Sequence, residues 1–340
     1  MKIILLATDT APSEALSKLS EASLKLGHEA HLYVSNGKTA LDGTSIELSG
    51  VDAVVVGMSS TATAAQPEID LATRAKIAGI PVYLYADTFG VHNRPGFGEI
   101  LSGSTLFHIS EAEAVDARST FPEAHVVATG NPMTEGFFFP KYTRDEVRQK
   151  LGGHPPHFKW VLCPAGKSML INLLHFGRAV EEFEDMEDVG VLLSLHPGDK
   201  TDPSVYQELC SLSPVPMTII ERTLLSASDM LPGIDMVFDS ASTVGVEAAC
   251  LRIPVVTYLS PMARKRLFNA TSKTTWGLCD QWAAYNYHEL NSPRSDLLRI
   301  LRGRVCRDLP SLEKFYPQPA RVGIAVEKMM AEITKVPAEA

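Results

Sequence analysis

Short apolar runs alternate with helical segments along most of this chain, and that alternation constrains the fold more than any other feature. The first run, Lys2–Ala7, is apolar almost throughout, as is typical of a parallel strand covered on both faces. Apolar residues then recur at helical spacing over Ser13–Leu26, before Gly27. His28–Val34 predicts a second strand. The chain therefore opens with a β-α-β unit, which predicts a parallel sheet.

The pattern continues in two series. In the first, further strands are predicted at Ala53–Val56, Pro81–Tyr85, Thr105–Ile109 and His125–Ala128, with helices at Pro67–Ala78 and Ser110–Arg118. In the second, strands are predicted at Trp160–Cys163, Val189–Leu195, Met217–Ile220, Met236–Asp239 and Pro254–Tyr258, with helices at Met169–Phe183, Thr243–Leu251 and Ser295–Arg302. Each series has the strand-helix order of a doubly wound sheet.

The two series are separated by an irregular stretch, Asn131–Phe158, with one short predicted helix at Arg144–Leu151. We therefore expect an α/β protein with two Rossmann-like, doubly wound parallel-sheet domains, over residues 1–140 and 155–310. A helical tail over 311–340, with a helix at Arg321–Ile333, completes the prediction. Ligands of open α/β sheets bind at the carboxyl ends of the strands, so we expect them in a cleft between the two domains.

Length and charge narrow the class of protein. The chain has 340 residues, enough for two domains. A net charge of −9 argues against nucleic-acid binding, which needs a concentrated positive field. The longest basic run is Arg264–Arg266, typical of a solvated loop or helix face. No apolar run reaches the ~18 residues of a membrane span, and the N-terminal run meets Asp9 too early for a signal peptide, so we expect a cytoplasmic protein.

Two smaller features bear on partners. The five cysteines (Cys163, Cys210, Cys250, Cys279 and Cys306) have no Cys-x-x-Cys spacing, so we expect thiols in a reducing compartment and no structural zinc. The aromatic run Phe137–Phe139 is typical of a packed hinge, and the alternative is peripheral contact with lipid.

The stretch from Met236 to Glu247 carries the strongest chemical signal. A buried strand ends at Asp239, and a helix opens near Thr243. Free backbone N–H groups and the positive end of the helix dipole, beside the hydroxyls of Ser240, Ser242 and Thr243, predict a phosphate site. The carboxylate of Glu247, one turn into the helix, suits the two hydroxyls of a ribose. The alternative is an ordinary helix cap without a ligand.

Three further segments follow predicted strands. Gly166-Lys167-Ser168 lacks the earlier glycine of a P-loop, because Val161 stands there, but Lys167 offers a point charge to a diphosphate. In the N-terminal domain, Asp87 or His92 is a candidate general base, and Arg94 suits an anionic acceptor. The turn from Gly57 to Thr61 lies on the same side. For each segment a polar loop or cap without a ligand remains the alternative.

A resemblance now adds to these residues. Asp239-Ser-Ala-Ser-Thr-Val-Gly-Val-Glu-Ala, followed by Ile-Pro-Val-Val, resembles the nucleotide-binding segment in the C-terminal domain of GT-B proteins. These include nucleotide-sugar glycosyltransferases, bacterial sialyl- and polysialyltransferases, CDP-glycerol transferases and UDP-GlcNAc 2-epimerases. The resemblance implies phosphate binding by Ser240, Ser242 and Thr243, and ribose binding by Glu247. In these proteins the loop that corresponds to the one with Lys167 and Ser168 here faces the nucleotide diphosphate.

Two other segments occur in the order of that superfamily. His196-Pro197 resembles the His-Pro motif of bacterial sialyltransferases, which implies that His196 contacts the nucleotide phosphate and aids its departure. The alternative is a histidine that caps the end of the strand. Thr129-Gly130-Asn131-Pro132 resembles the segment that ends the N-terminal domain of MurG-like and epimerase-like proteins, where it is mainly a hinge.

The chain also departs from its relatives. Ala7-Thr8-Asp9-Thr10 stands where MurG-like transferases have a glycine-rich loop, and the Gly-Thr-Arg-Pro-Glu and His-Val-Glu-Ala-Gly motifs of the epimerases are absent. The sequence therefore favours a glycosyltransferase that moves a sugar from a nucleotide-sugar donor to a glycan, lipid or protein acceptor. GT-B transferases need no bound divalent metal, and no cofactor is expected. A nucleotide-sugar 2-epimerase or hydrolase, or a non-catalytic binding protein of the same fold, is the alternative.

Overall fold

The computed structural model describes residues 1–34, 41–220, 224–271, 273–280, 283–303 and 318–335. Cys306 and the first part of the predicted tail lie outside these ranges. The chain divides into two compact units. The described residues of unit 1 fall within Met1–Gly136, Phe268–Lys273 and Pro319–Ala340, and those of unit 2 fall within Phe137–Leu267 and Thr274–Gln318.

Unit 1 is built on a six-stranded sheet in the order β2-β1-β3-β4-β5-β6, in which every pair is parallel. The strands are β1 (Lys2–Ala7), β2 (Glu29–Val34), β3 (Ala53–Gly57), β4 (Val82–Tyr85), β5 (Thr105–His108) and β6 (His125–Ala128). The helices are α1 (Thr10–Lys25), α2 (Ala62–Ile77), α3 (Gly98–Leu101) and α4 (Glu111–Thr120).

Both faces of this sheet are covered. Ile3 and Leu5 of β1 belong to one buried cluster, together with Leu16 of α1, whereas Ile4 and Leu6 belong to the cluster on the other face. Alternate residues of a strand point to opposite faces. A strand covered on both sides has to be apolar at its buried positions, which explains the continuous apolar run at Ile3–Ala7.

The predicted start of α2 was wrong. The helix begins at Ala62 rather than at Pro67, and Pro67 lies inside it. The side chain of Thr61 accepts a hydrogen bond from Ala64 N and caps the helix earlier than the proline suggested. A proline without an N–H is tolerated here because most of the helix is formed by good helix formers and packs on the sheet.

Unit 2 contains a second parallel sheet of six strands, in the order β12-β11-β10-β7-β8-β9. The strands are β7 (Lys159–Pro164), β8 (Val189–Ser194), β9 (Met217–Ile219), β10 (Met236–Asp239), β11 (Val255–Thr257) and β12 (Tyr285–Asn286). The helices from residue 137 to 303 are α5 (Arg144–Lys150), α6 (Met169–Phe183), α7 (Pro203–Leu212), α8 (Ala227–Met230), α9 (Thr243–Cys250), α10 (Pro261–Thr271), α11 (Gly277–Asp280) and α12 (Pro293–Leu301). The prediction of two doubly wound parallel-sheet domains is confirmed.

Helix α5 is held in unit 2 by a buried carboxylate. Asp235 pairs with Arg144 at 2.7 Å, with Arg148, and with Lys159 at 3.5 Å, and it also accepts the backbone N–H of Trp160. The cluster fastens the helix to the amino ends of β7 and β10, because Lys159 and Trp160 begin β7 and Asp235 precedes β10.

The last described helix, α13 (Ile324–Ile333), packs on unit 1. Val326, Met329 and Met330 join the buried cluster that contains Leu16 and Leu19 of α1. The helix is three residues shorter than predicted, because Gly323 adopts a left-handed conformation before it (φ 103°). Glu135 accepts hydrogen bonds from the backbone N–H groups of Gly323 and Ala325.

Three of the predictions about compartment and partners concern features that the structure describes. In the described ranges no helix is long and apolar enough to cross a bilayer. The four cysteines in those ranges form no disulfide. Of the aromatic run, Phe139 is exposed and the other two side chains are half-buried.

Candidate functional site

In unit 2, three loops carry the residues predicted to bind the donor. These loops follow β7, β8 and β10, which are neighbours in the sheet, so their carboxyl ends share one edge. Strand order reverses between β7 and β10, because β8 and β9 continue on one side and β11 and β12 on the other. Doubly wound sheets bind ligands at such a switch point.

The turn after β10 is organised by Asp239. Its buried carboxylate accepts the N–H of Ser242 at 3.0 Å and the Ser242 hydroxyl at 2.5 Å. Burial raises the pKa of Asp239 to about 6, although the hydrogen bonds to the carboxylate act to lower it. Ala241 takes a left-handed conformation (φ 59°), which lets the turn fold back on the carboxylate.

In this network the Ser242 hydroxyl has a structural role, because both of its hydrogen bonds lie within the turn and the start of the helix. Its oxygen donates to Asp239 and accepts the N–H of Gly245, so it caps α9. Thr243, the first residue of the helix, is exposed. The buried hydroxyl oxygen of Ser240 has no hydrogen-bond partner within the described ranges.

Glu247 lies on α9, and its side chain is only partly satisfied. The residue is 6% exposed, and the side chain of Ser228 lies beside its carboxyl group. Its Oε2 atom is buried and has no partner among the described residues. Burial, with a contribution from Asp229, raises the pKa of Glu247 to about 7. An orphaned buried carboxylate oxygen is costly unless a donor reaches it, and a ribose hydroxyl is such a donor.

The loops after β7 and β8 come together at Gly198. A Cβ atom built on Gly198 would lie 3.3 Å from both Nδ1 of His196 and Cε of Lys167, so the three residues are adjacent. The N–H of Gly198 donates to Nδ1 of His196 at 2.8 Å. In its neutral form, His196 therefore carries its proton on Nε2, where it can act as a donor. Ser168 is the N-cap residue of α6, without a side-chain capping bond.

Asn172 links the same two loops, and the sequence analysis did not find it. Its side chain is 1% exposed, accepts from Gly166 N at 2.8 Å, and donates to Gly166 O and to Asp199. Tyr206 donates to the same carboxylate oxygen of Asp199 at 2.6 Å. The sequence signal that could have identified Asn172 is a polar residue near Ile171 and Phe176 on the side of α6 that is predicted to be buried.

Unit 1 has its own switch point between β1 and β3, and Glu68 joins the two loops there. Its buried carboxylate accepts from Thr8 N at 2.9 Å, Ser59 N at 2.8 Å and Ser59 Oγ at 2.7 Å. Asp9 accepts from Ser60 N at 2.6 Å. Burial raises the pKa of Glu68 to about 7. Sequence reasoning missed Glu68, although its spacing from Ala65 and Ala72 places it on the apolar face of α2.

Asp87 and Arg94 form a buried pair after β4. Arg94 Nη1 lies 3.3 Å from Asp87 Oδ1, without hydrogen-bond geometry. Among the described residues, Asp87 Oδ1 and Arg94 Nε and Nη1 are buried without a hydrogen-bond partner. Burial raises the pKa of Asp87 in spite of Arg94, and Asp9 raises it further. Asn131 ties the segment to the loop after β6 by donating to the Asp87 carbonyl and accepting from Tyr85.

His92 belongs to a buried chain of hydrogen bonds rather than to an open pocket. The N–H of Ile109 donates to Nδ1 of His108 at 3.0 Å, so His108 carries its proton on Nε2. That Nε2–H lies 3.2 Å from Nδ1 of His92, whose own Nε2 lies 3.1 Å from Asp116. Burial lowers the pKa of both histidines, and nearby Lys273 adds to this. Both rings are therefore neutral.

The same histidines are the described residues that come nearest to a metal site. Ligand atoms of His92, His108 and Glu113 lie within 4.8 Å of one another. However, the hydrogen bond from Ile109 holds the His108 proton on the nitrogen that would face a metal, Gly90 N occupies Glu113 Oε2, and Lys273 adds a positive charge nearby. The arrangement fits a hydrogen-bond chain better than a cation.

Comparison with known proteins supports the fold. No protein-family model matches the chain, and no curated protein matches its sequence. Among solved structures, the chain is similar to UDP-GlcNAc 2-epimerase from Methanocaldococcus jannaschii in complex with UDP-GlcNAc and UDP (16% identity, 98% of this chain and 99% of that chain, TM-score 0.61). It is also similar to S. aureus MnaA with UDP (15%, 98% and 96%, TM-score 0.66) and to MurG of Acinetobacter baumannii (12%, 99% and 100%, TM-score 0.61).

These likenesses, with two parallel sheets of six strands, define the class. The chain is a two-domain α/β protein with the GT-B fold. Its strand orders agree with that class: unit 2 has the Rossmann order, and the first five strands of unit 1 have the flavodoxin-like order.

Proposed function

We propose that this protein is a glycosyltransferase that uses a nucleotide-sugar donor and holds the nucleotide at the carboxyl edge of the unit 2 sheet. The observation that carries the proposal is Glu247. Its buried Oε2 lacks a donor within the described ranges, and it lies on the helix that opens at the switch point. In the proposal, the ribose hydroxyls of the donor supply the missing hydrogen bonds.

The donor phosphates lie beside the same helix in this proposal. The exposed start of α9 at Thr243 offers N–H groups, and the Ser240 hydroxyl, which lacks a partner in the described part of the chain, offers a further contact. Lys167 contributes a positive charge, and Nε2–H of His196 donates to the phosphate that leaves. No metal or other cofactor is needed for this step. Ser242 acts indirectly, because its hydroxyl holds the turn.

Asp87 is the general base in the proposal. Its Oδ1 is buried and lacks a hydrogen bond in the part of the chain that the structure describes, so an acceptor hydroxyl can donate to it. Its raised pKa makes it a better proton acceptor than an ordinary aspartate. His92 is the other candidate, but it is fully buried and both of its ring nitrogens take part in hydrogen bonds. We therefore assign the base to Asp87 in this proposal.

A nucleotide-sugar 2-epimerase is the second candidate, favoured by the likeness to two structures of proteins described as UDP-GlcNAc 2-epimerase or as binding UDP. The two functions differ in a simple assay. An epimerase or hydrolase consumes UDP-GlcNAc without an acceptor, whereas a transferase leaves most of the donor intact until an acceptor is added. UDP release and sugar composition, followed with and without acceptor, separate them.

The first test is thermal stability against UDP, CMP, CDP, GDP and NAD. A ligand that binds only the folded state raises the melting temperature by mass action. We expect one nucleotide to produce a shift that Glu247→Gln abolishes. Glu182→Gln is the matched control, because Glu182 is a buried carboxylate of unit 2 that accepts from Tyr287 instead of a ligand. If none of these nucleotides raises the melting temperature, the proposal is contradicted and a non-catalytic protein is favoured.

A further inference from the structure

Helix α10 presents a mixed cationic and apolar surface. Ala263 and Leu267 lie four residues apart, hence on one side of the helix, and both are buried. The remaining side chains up to residue 269 are exposed, including two large apolar ones, Met262 at 41% and Phe268 at 51%. We call Met262, Arg264, Lys265, Arg266 and Phe268 the α10 face.

The geometry of the helix places apolar and basic groups side by side. At about 100° per residue, Lys265 lies at the centre of the exposed arc, with Met262 and Phe268 about 60° to either side of it. Arg264 and Arg266 lie at the edges of the arc. The three cations therefore surround two exposed apolar side chains and do not converge on one point, which a small anionic ligand would require.

The charge around this helix differs from that of the whole chain. The protein has a net charge of −9, yet residues 248–279 contain five basic side chains and no aspartate or glutamate. The ion pairs found in the described ranges involve none of Arg264, Lys265 and Arg266. Within the described ranges, these three cations are therefore not paired with a carboxylate.

We propose that the α10 face binds the surface of an anionic lipid bilayer, with the helix lying in the plane of the interface. Acidic headgroups attract the three cations, and each basic residue near such a surface strengthens binding by about fivefold. Met262 and Phe268 enter the boundary between headgroups and acyl chains, where aromatic and unbranched apolar side chains are stable. A nucleic acid or an acidic protein surface would match the cations but would leave the exposed apolar pair without a role.

This proposal does not depend on the nucleotide site. It concerns a different helix, and it would hold for a transferase, an epimerase or a non-catalytic protein of this fold. It also differs from the alternative lipid contact at Phe137–Phe139, which lies far from α10 in sequence and carries one basic neighbour, Lys141.

Vesicle co-sedimentation of the full chain tests the proposal. We expect binding to vesicles of phosphatidylcholine mixed with phosphatidylglycerol, and little binding to phosphatidylcholine alone. The variant Arg264→Glu/Lys265→Glu/Arg266→Glu should lose affinity by on the order of 100-fold. Lys25→Glu/Arg302→Glu/Lys328→Glu has the same net charge, alters exposed side chains on three other helices or their ends, and should bind like the native protein.

A second pair of variants tests the apolar contribution. Met262→Ser/Phe268→Ser should weaken binding but keep its dependence on salt, whereas Ile77→Ser, at a position 83% exposed on α2, should have no effect. Native melting temperatures for all variants show that they fold. The proposal is overturned if mixed vesicles do not bind at low salt, if the two triple variants bind equally, or if the folded protein binds DNA or an acidic polypeptide but not vesicles.

Discussion

Gly245 and Asp239 approach so closely that any side chain on the glycine would strike the carboxylate. A Cβ atom on Gly245 would lie 2.8 Å from Oδ2 of Asp239, which is nearer than real Cβ contacts allow. Asp239 accepts hydrogen bonds from the N–H and the hydroxyl of Ser242, in the turn that opens α9. The glycine thus permits the turn, and the turn places Ser240, Thr243 and Glu247.

Gly245→Ala should displace this turn. We expect a loss of stability of about 1–3 kcal/mol from overpacking, together with loss of the nucleotide-induced thermal shift. The matched control is Gly177→Ala on α6, where a Cβ atom meets nothing within 4 Å. There the change should be neutral or stabilising by up to about 1 kcal/mol, because alanine has the higher helix propensity. Equal effects at both positions in chemical denaturation would contradict this account of the turn.

Glu247→Gln should change how stability depends on pH. The pKa of Glu247 is raised from 4.5 to about 7 by burial, so its contribution to stability is fully present below pH 4.5 and is lost as the pH rises through 7. Glutamine does not ionise. The variant should therefore gain stability relative to the native protein across that window, by roughly 3 kcal/mol at most.

Nucleotide affinity should follow the opposite trend at the same residue. The ionised carboxylate is the form that accepts two ribose hydroxyls, so native affinity should rise as the pH increases through about 7. Calorimetric titration at several pH values checks this. A flat profile in the native protein, with the same affinity in Glu247→Gln, would exclude Glu247 from the ribose contact.

His196→Ala should slow sugar transfer without unfolding the protein. The side chain donates from Nε2 because Gly198 N–H occupies Nδ1. Loss of one donor to a leaving phosphate lowers kcat by about 10²–10³-fold. His196→Gln offers an amide N–H at a similar reach and should recover part of the rate. Once a donor and an acceptor are known, equal activity of both variants and the native enzyme would show that His196 does not assist departure of the phosphate.

Glu68→Ala should destabilise unit 1. Three donors, Thr8 N, Ser59 N and Ser59 Oγ, would lose one buried acceptor group, and each unsatisfied donor costs about 1–3 kcal/mol. We expect a loss of roughly 3 kcal/mol or more in urea unfolding. Gln66→Ala is the control on the same helix, because Gln66 is exposed and its side chain donates a hydrogen bond to Asp70. A small effect of Glu68→Ala would show that the two loops hold together without it.

His92 and His108 should stay neutral below the ordinary histidine pKa of 6.5. Their pKa values are lowered by burial, so the unfolded chain takes up protons first, and this contribution to stability is lost as the pH falls below 6.5. Nitrogen NMR shifts should show both rings protonated at Nε2. Added Zn²⁺ should leave the spectra and the melting temperature unchanged, and specific zinc-induced shifts would instead indicate a metal site at His92, His108 and Glu113.

Sequence patterns predicted the sheets well for a physical reason. Strand Met236–Asp239 agrees with the prediction at both ends, because a parallel strand buried on both faces is mainly apolar and is bounded by polar turns. Strand His125–Ala128 also agrees at both ends, although it lies at the edge of its sheet and is only partly buried. Helix starts were less predictable, as α2 shows. A cap such as Thr61 competes with a proline signal, and packing on the sheet decides between them.

The sequence by itself determined the two series of β-α units, their parallel sheets, and the loops at Lys167, His196 and Ser240–Glu247 that share one sheet edge. This information is local, since it depends on apolar periodicity and on residues next to strand ends. Only the tertiary structure decided which polar groups are paired. Asn172 and Glu68 make their bonds to residues distant in the chain or on another element, the Ser242 hydroxyl turned toward Asp239, and His92 joined His108 and Asp116. Hydrogen bonding inside a core depends on distance and direction in three dimensions, which spacing along the chain does not specify.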